Sequence, residues 1–451
     1  MLDLFIGVAV AVVVGRYIIK GYSATGVLLV GGLLLLVLSA LMGKNVLPAS
    51  ATATGWRATD IVEYVKILLM SRGGDLGMMI MVLCGFAAYM THIGANDVVV
   101  KLASRPLQMI NSPYLLMVAA YLMACLMSLA VSSATGLGVL LMATLFPVMV
   151  NVGISRGAAA AICASPAAII LSPTSGDVVL AAKAAEMPLV DFAFKTTLPI
   201  SIAAIVCMAV AHFFWQRYLD KKNHEEHHIL DVSEIKTHAP GFYAVLPFTP
   251  IIGVLIFDGK WAPELHIITV LVICMLLTAI VEFCRSFSAQ KVFAGLEVAY
   301  RGMADAFATV VMLLVAAGVF AQGLSTIGFI SGLIGMAQSF GSGGIVMMLV
   351  LVAITMLAAM TTGSGNAPFY AFVELIPKLA AQMGINPAYL VIPMLQASNL
   401  GRTISPVSGV VVAVAGMAKI SPFEVVKRTS VPVLVGLIVV IVATELLIPA
   451  R

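Results

Sequence analysis

Apolar residues fill this chain in long blocks rather than in stripes. Runs near or above the roughly 20-residue length of a membrane span cover 3–19, 25–42, 75–91, 196–216, 242–257, 265–283, 305–324 and 429–449. Four further blocks, 113–153, 158–186, 343–380 and 388–416, are apolar but interrupted by small polar residues. A helix satisfies its own backbone donors and acceptors in hydrocarbon. The pattern therefore predicts an all-α, polytopic membrane protein of about ten spanning helices.

The blocks come twice. SPTSG at Ser172–Gly176 returns as SPVSG at Ser405–Gly409, an offset of 233 (405 less 172) that also relates Ser165 to Ser398, Thr196 to Thr429 and Pro199 to Pro432. FAAYMTHIG at Phe86–Gly94 matches FAQGLSTIG at Phe320–Gly328, and SSATG at Ser132–Gly136 matches TTGSG at Thr361–Gly365. The predicted organisation is a first repeat over 1–217, with a re-entrant hairpin at about 113–153 and a broken helix at about 158–186. A cytoplasmic linker follows over 218–240. The second repeat, 241–451, has its hairpin at about 343–380 and its broken helix at about 388–416.

Charge sets the expected orientation. Five crossings per repeat is an odd number, so the second repeat must start on the opposite side from the first. Loop charges agree. Arg16 and Lys20 place the first loop of repeat one inside, whereas its counterpart Asp258–Glu264 holds one lysine against two acids. Inverted topology follows, with both termini periplasmic and an uncleaved first helix. Asp60–Arg72 and Val98–Met109 read as amphipathic stretches at the membrane interface.

Composition excludes other classes. The 451 residues are 61% hydrophobic and 10% charged, with a mean hydropathy of +1.08, against roughly 25% charged residues in soluble domains. The net charge of +4 forms no basic stripe, so no nucleic-acid partner is expected. Six cysteines (Cys84, Cys125, Cys163, Cys207, Cys274 and Cys284) lie in apolar segments without CxxC spacing and read as packing residues. A solvated connector accounts for His224, His227 and His228, and neither a metal nor another cofactor is expected. The chain carries no P-loop and no H-E-x-x-H, and Gly363-Ser364-Gly365 has no nearby histidine, so it does not read as a pump or an enzyme.

The chemistry is expected where helices are interrupted: hairpin tips at Ser132–Gly136 and Thr361–Asn366, and helix breaks at Ser172–Gly176 and Ser405–Gly409. Proline there removes an intrahelical hydrogen bond. Irregular backbone at membrane depth persists where it lines a cavity or is buried in protein, and half-helix N-termini then face anions. The candidate substrate-binding residues are Ser132, Ser133, Thr135, Ser172, Thr174, Ser175, Thr361, Thr362, Ser364, Asn366, Asn399, Arg402, Ser405 and Ser408.

Arg402 stands where repeat one has an apolar residue, Ile169. An arginine at membrane depth costs roughly 2.5–3.5 kcal/mol on insertion scales. It therefore meets either a substrate carboxylate, which its fork fits bidentately, or an internal acid such as Asp177 or Glu374. Asp177, opposite Val410, either carries a coupling proton or caps the second half-helix. Asp75 and Asp305 are expected to cap helices, and His92 to sit at a helix end.

At these motifs the chain resembles the DcuC-type anaerobic C4-dicarboxylate carriers of bacterial inner membranes. The similarity runs through MSRGGDLGMMI, MTHIGAND, VSSATGLGVLLMATLFPVMVNVGISRGAAAAICASPAAII, TTGSGNAPFYAF and SPVSGVVVAVAGMAKISPFEVVKRTSVPVL. The resemblance implies efflux, exchange or H⁺-coupled transport of succinate, fumarate and malate in anaerobic growth. It further implies alternating access by elevator-like movement, often as a homodimer, with H⁺ or Na⁺ as the coupling ions open to it. A carrier for another organic anion, or a Na⁺/H⁺ antiporter of the same superfamily, is the alternative. Dicarboxylate members of that superfamily carry Ser-Asn-Thr tips. Here the tips read Ser132-Ser133-Ala134-Thr135 and Thr361-Thr362-Gly363-Ser364-Gly365-Asn366, which keep hydroxyls and an amide.

Overall fold

A computed structural model describes residues 2–20, 22–48, 51–104, 110, 112–131, 133–223, 239–257, 262–263, 265–329 and 343–450. Among these residues the regular structure is helical, with no strand. Ser132, the histidines at 224, 227 and 228, and most of the Asp258–Glu264 loop lie outside the described residues.

The first half contains α1 (Leu2–Ile19), α2 (Ala24–Leu41), α3 (Arg57–Ser71), α4 (Gly77–His92), α5 (Ala95–Ser104), α6 (Pro113–Met127), α7 (Ala134–Asn151), α8 (Arg156–Ala164), α9 (Gly176–Ala184) and α10 (Leu198–Asn223). The second contains α11 (Thr249–Ile256), α12 (Ile267–Ser286), α13 (Ala289–Ala306), α14 (Met312–Ile327), α15 (Gly343–Thr362), α16 (Asn366–Val373), α17 (Ile376–Met383), α18 (Pro387–Thr403), α19 (Gly409–Ala418) and α20 (Pro422–Leu447). Among the described residues, seven helical segments are long and apolar enough to cross a membrane, and the bent pair α3–α4 makes an eighth.

Local sequence sets many of the helix starts. The side chains of Ser133, Ser155, Asn386 and Ser421 accept backbone N–H bonds at the first turns of α7, α8, α18 and α20. Proline occupies the first turn of α6, α18 and α20, where its missing N–H is no loss.

Asp75 and Asp305 do not mark the starts that the sequence suggests. Wide π-type turns at Arg72–Leu76 and Phe307–Val311 carry α3 into α4 and α13 into α14. Asp305 lies within the last turn of α13, and the cap of α4 is Leu76, without a side-chain bond. The second wide turn keeps the backbone helical, whereas the first bends by 43° with Gly74 outside helical geometry (φ −72°, ψ −112°). His92 closes α4, as its spacing predicts.

The halves interlock. α2 packs on α14, α4 on α13 and α10 on α20, each pairing joining one half to the other. Glycine makes the closest approaches: a Cβ on Gly32 of α2 would lie 2.5 Å from the backbone nitrogen of Phe320 on α14. Between α10 and α20 the fully buried Arg428 donates to Asp220 (2.7 Å), Glu424 (2.8 Å) and Gln216 (3.2 Å). Ser155, the cap of α8, also donates to Asp220, at 2.6 Å. This network ties three helices around a charge that would be costly if left unpaired.

Candidate functional site

Two interruptions and two hairpin tips meet in the interior. α8 stops at Ala164, a 3₁₀ turn covers Pro166–Ala168, and irregular backbone runs on until Ser175, at the N-cap position of α9. α18 stops at Thr403, and α19 restarts after five intervening residues, with Ser408 at its N-cap position. The α6–α7 hairpin turns at 128–133 and the α15–α16 hairpin at 363–365.

The contacts cross between halves. A Cβ on Gly409, which opens α19, would lie 3.2 Å from Thr135 Oγ1 at the first hairpin tip. On Gly176, which opens α9, it would lie 3.7 Å from Tyr370 Oη in the second hairpin. The second tip also folds onto its own half's break. Gly363, at φ +72°, sits where a Cβ would meet the Val407 carbonyl oxygen at 2.8 Å, which leaves no room for a side chain.

These pieces enclose a cavity of about 390 Å³, a size typical of small-molecule sites. Four helix N-termini open onto it, those of α7, α9, α16 and α19, through Thr135, Asp177, Asn366 and Gly409. Ser133, Ser172, Thr174, Ser175, Ser364, Asn399, Arg402 and Ser408 also line it. The outer wall is α4, through Ile80, Leu83, Cys84 and Ala87. Of the cysteines, Cys84 therefore faces the site rather than only packing.

The hydroxyls divide by function. Ser133 and Ser364 accept from the Gly136 and Ala367 amides at 3.1 and 3.3 Å, so they cap the hairpin helices. Ser175 and Ser408 hold the N-cap positions of α9 and α19 but make no cap bond. Ser172 and Thr174 share a 2.9 Å hydrogen bond.

Three residues fall off the wall. The hydroxyls of Thr361 and Thr362 turn back onto the Leu357 and Ala358 carbonyls of α15, at 2.9 and 2.7 Å. Ser405 is fully buried behind the break. Sequence places these three beside the tip and the break, but the last turn of α15 absorbs the two threonine hydroxyls and the irregular backbone of the break buries Ser405.

Arg402 reaches across to the other half. Its Nη2 donates to the Ala167 carbonyl at 3.0 Å, within the first broken helix, and its buried Nε has no partner. Among the described residues no acid lies within ion-pair distance of it. Glu374 is instead engaged by Arg72, where the first π-type turn begins. Asp177 lies in the first turn of α9, where the helix dipole favours a carboxylate. Its Oδ1 accepts from Tyr370 Oη at 2.6 Å rather than from its own backbone.

Tyr370 and Gln396 are absent from the residues that sequence motifs single out. Tyr370 follows Asn366 by one helical turn, and the Asn366 amide donates to its hydroxyl at 3.5 Å. Gln396 interrupts the apolar run of α18, and an isolated amide in such a run is the signal that could have found it. Its Oε1 accepts from the Ile170 N–H at 3.0 Å and its Nε2 donates to Ser201 Oγ at 3.2 Å. Among the described residues no group of three or more His, Cys, Asp or Glu could hold a metal.

A polytopic helical protein with interrupted helices converging on a buried polar cavity is a secondary transporter. The chain belongs to the family of C4-dicarboxylate anaerobic carriers, whose profile matches residues 2–449. It is 83% identical to the anaerobic C4-dicarboxylate transporter DcuC of Escherichia coli K12, over 99% of this chain and 97% of that one. It is 62% identical to the probable anaerobic C4-dicarboxylate transporter DcuC of Vibrio cholerae, over 100% and 98% of the two chains. Among solved structures the fold is similar to the Alcanivorax borkumensis YdaH transporter, with TM-score 0.63, 17% identity, and coverage of 94% of this chain and 98% of that one. It is also similar to Neisseria gonorrhoeae MtrF, with TM-score 0.57, 12% identity, and coverage of 93% and 94%. At these identities the likeness speaks to the fold alone.

Proposed function

We propose that the protein carries C4-dicarboxylates (succinate, fumarate and malate) across the bacterial inner membrane by alternating access, and that the central cavity is its substrate site. One observation carries this reading: four helix N-termini and one guanidinium surround a cavity on whose wall three buried polar atoms are left without partners. The buried Arg402 Nε, Asn399 Oδ1 and Ser408 Oγ make no hydrogen bond. Buried polar groups are normally satisfied, and unpartnered groups around a cavity are what a polar ligand completes.

A dianion suits this arrangement. Arg402 offers a charged fork to one carboxylate. The half-helix N-termini of α9 and α19, with the uncommitted cap hydroxyls of Ser175 and Ser408, supply N–H and O–H donors to the other. A monoanion would leave one set of donors idle.

The same reading takes the two halves as inverted-topology repeats, each of five crossings and one re-entrant hairpin. Support comes from the loop charges and from the recurrence of a π-type turn, a hairpin and a broken helix in the same order in both halves. The termini are then periplasmic and the 218–240 segment cytoplasmic. Homodimerisation rests on the family resemblance alone. H⁺ and Na⁺ are the coupling ions open to it, with Asp177 as the proton-carrying candidate.

The test is counterflow in proteoliposomes. Labelled succinate should accumulate against unlabelled fumarate, saturably, and respond to an imposed pH or sodium gradient according to the coupling ion. Arg402→Ala should abolish the flux while the protein still inserts. Wild-type counterflow in that variant would remove the site assignment.

A further inference from the structure

A second cavity, of about 690 Å³, lies next to the first. No lining residue is common to the two, but both draw on α4 and α9. Leu76 and Met79 of the first π-type turn and α4 face the larger cavity, and the next turn of α4, from Ile80, faces the smaller. On α9, Asp177 lines the inner cavity and Lys183 the outer one. Six residues of helix separate them by roughly 9 Å.

A third void continues the row past Leu83 and Ala87, at the other end of α4. It holds only about 20 Å³ and is closed by Phe86, Met90, Pro247 and Pro250, room for a single water. The central cavity thus has a wide neighbour on one side and an apolar plug on the other.

Among the described residues, the polar lining of the wide neighbour includes Lys183, Lys195, Asp191 and His266. Lys195 is paired with Asp191 at 2.6 Å, so those two charges cancel locally. Lys183 is exposed and, among the described residues, makes neither hydrogen bond nor ion pair. Its electrostatic neighbour is Glu374, whose carboxylate Arg72 already holds. Among the described residues that line it, Lys183 is thus the one formal charge that no neighbour on the wall cancels, set over largely apolar surroundings, and a positive charge in a cleft concentrates anions.

We propose that this outer cavity is a second, shallower carboxylate-binding site, an antechamber that a dicarboxylate occupies on its way to the central cavity, with Lys183 as its anion-selecting residue. The substrate class rests on the proposed function above. The antechamber lies at the end of α10 opposite the 224–238 connector, since Lys195 precedes α10 and Asn223 ends it.

The experiment places a reporter thiol in the outer cavity by Met187→Cys, Met187 being on its wall. An impermeant anionic thiol reagent is applied to proteoliposomes of neutral lipid, with and without succinate. Protein lacking the reporter and treated in parallel corrects for the native cysteines. Succinate at ten times its half-protecting concentration should slow labelling about tenfold by mass action. This protection should persist in Arg402→Ala, whose central site is disabled, and should be lost in Lys183→Gln.

Protection that disappears with Arg402→Ala would mean a single site, and protection that survives Lys183→Gln would deny that residue its role. Protection by added phosphatidylglycerol but not by succinate would make the cavity a lipid headgroup site. Each of these results overturns the proposal. Failure of the central-site reading is seen separately, as counterflow that survives Arg402→Ala.

Discussion

Gln396 on α18 holds both peptide groups of Ile170 in the opposite half: its Oε1 accepts from the Ile170 N–H at 3.0 Å and its Nε2 donates to the Ile170 carbonyl at 3.4 Å. A side-chain amide there replaces the helical hydrogen bonds that the first break gives up. Gln396→Leu removes both bonds, leaving the half-buried Ile170 N–H without its partner and the carbonyl with Ser201 Oγ at 3.5 Å, at about 1–3 kcal/mol. The variant should unfold at lower temperature in detergent and lose counterflow. Unchanged thermal stability would show that water or another group satisfies Ile170 equally well.

Arg402 separates charge from shape. Arg402→Lys keeps a cation but loses the planar fork that can grip a carboxylate while bonding the Ala167 carbonyl. Counterflow should persist at a succinate half-saturation raised roughly tenfold or more, the effect of about 1.4 kcal/mol, with Arg402→Ala inactive. Equal activity in the lysine variant and the parent would argue against bidentate contact.

Asp177 and Tyr370 test the coupling role. If Asp177 carries the coupled proton, Asp177→Asn should leave exchange of dicarboxylate for dicarboxylate running while net uptake stops responding to an imposed pH gradient. Tyr370→Phe removes the hydroxyl that donates to Asp177 and should alter the pH dependence without abolishing exchange. A pH profile identical to the parent in Asp177→Asn would reject the proton role.

Arg72 and Glu374 form an ion pair between the first π-type turn and the junction of α16 and α17, with side-chain exposures of 19% and 13%. Glu374→Gln leaves a buried guanidinium without its counter-charge, at about 3 kcal/mol, and should lower thermal stability clearly. The double variant Arg72→Leu with Glu374→Leu should recover most of that loss, because neither charge then needs solvation. If the double variant is no more stable than the single one, the pair is not what holds the two segments together.

The repeats, the apolar blocks, the four interruptions and Arg402 were all legible before any coordinates. Each is a local signal: block length, a recurring SP-x-SG, or a charge where apolar residues surround it. Tyr370, Gln396 and the Arg72–Glu374 pair were not, because each acts through a partner far away in sequence and on another element. Thr361 and Thr362 show the reverse error. They belong to a genuine tip motif, yet the last turn of α15 absorbs their hydroxyls.

The asymmetry at the breaks has the same origin. Ser133 and Ser364 cap their helices while Ser175 and Ser408 do not. All four are serines beside a helix start, so residue type cannot separate them. What differs is whether the hydroxyl turns back to its own first turn.

Sequence alone determined that this chain lies in a membrane, that it is doubled, and where its helices fail, because hydropathy and backbone hydrogen-bonding rules act on neighbouring residues. Only the tertiary structure decided which of the polar groups so exposed face one another, which are satisfied locally, and that Lys183 lines a second cavity near the inner one. Those outcomes depend on the rotation and offset of whole helices. A turn of about 100° per residue carries a side chain from cavity to packing surface without changing anything that a linear motif records.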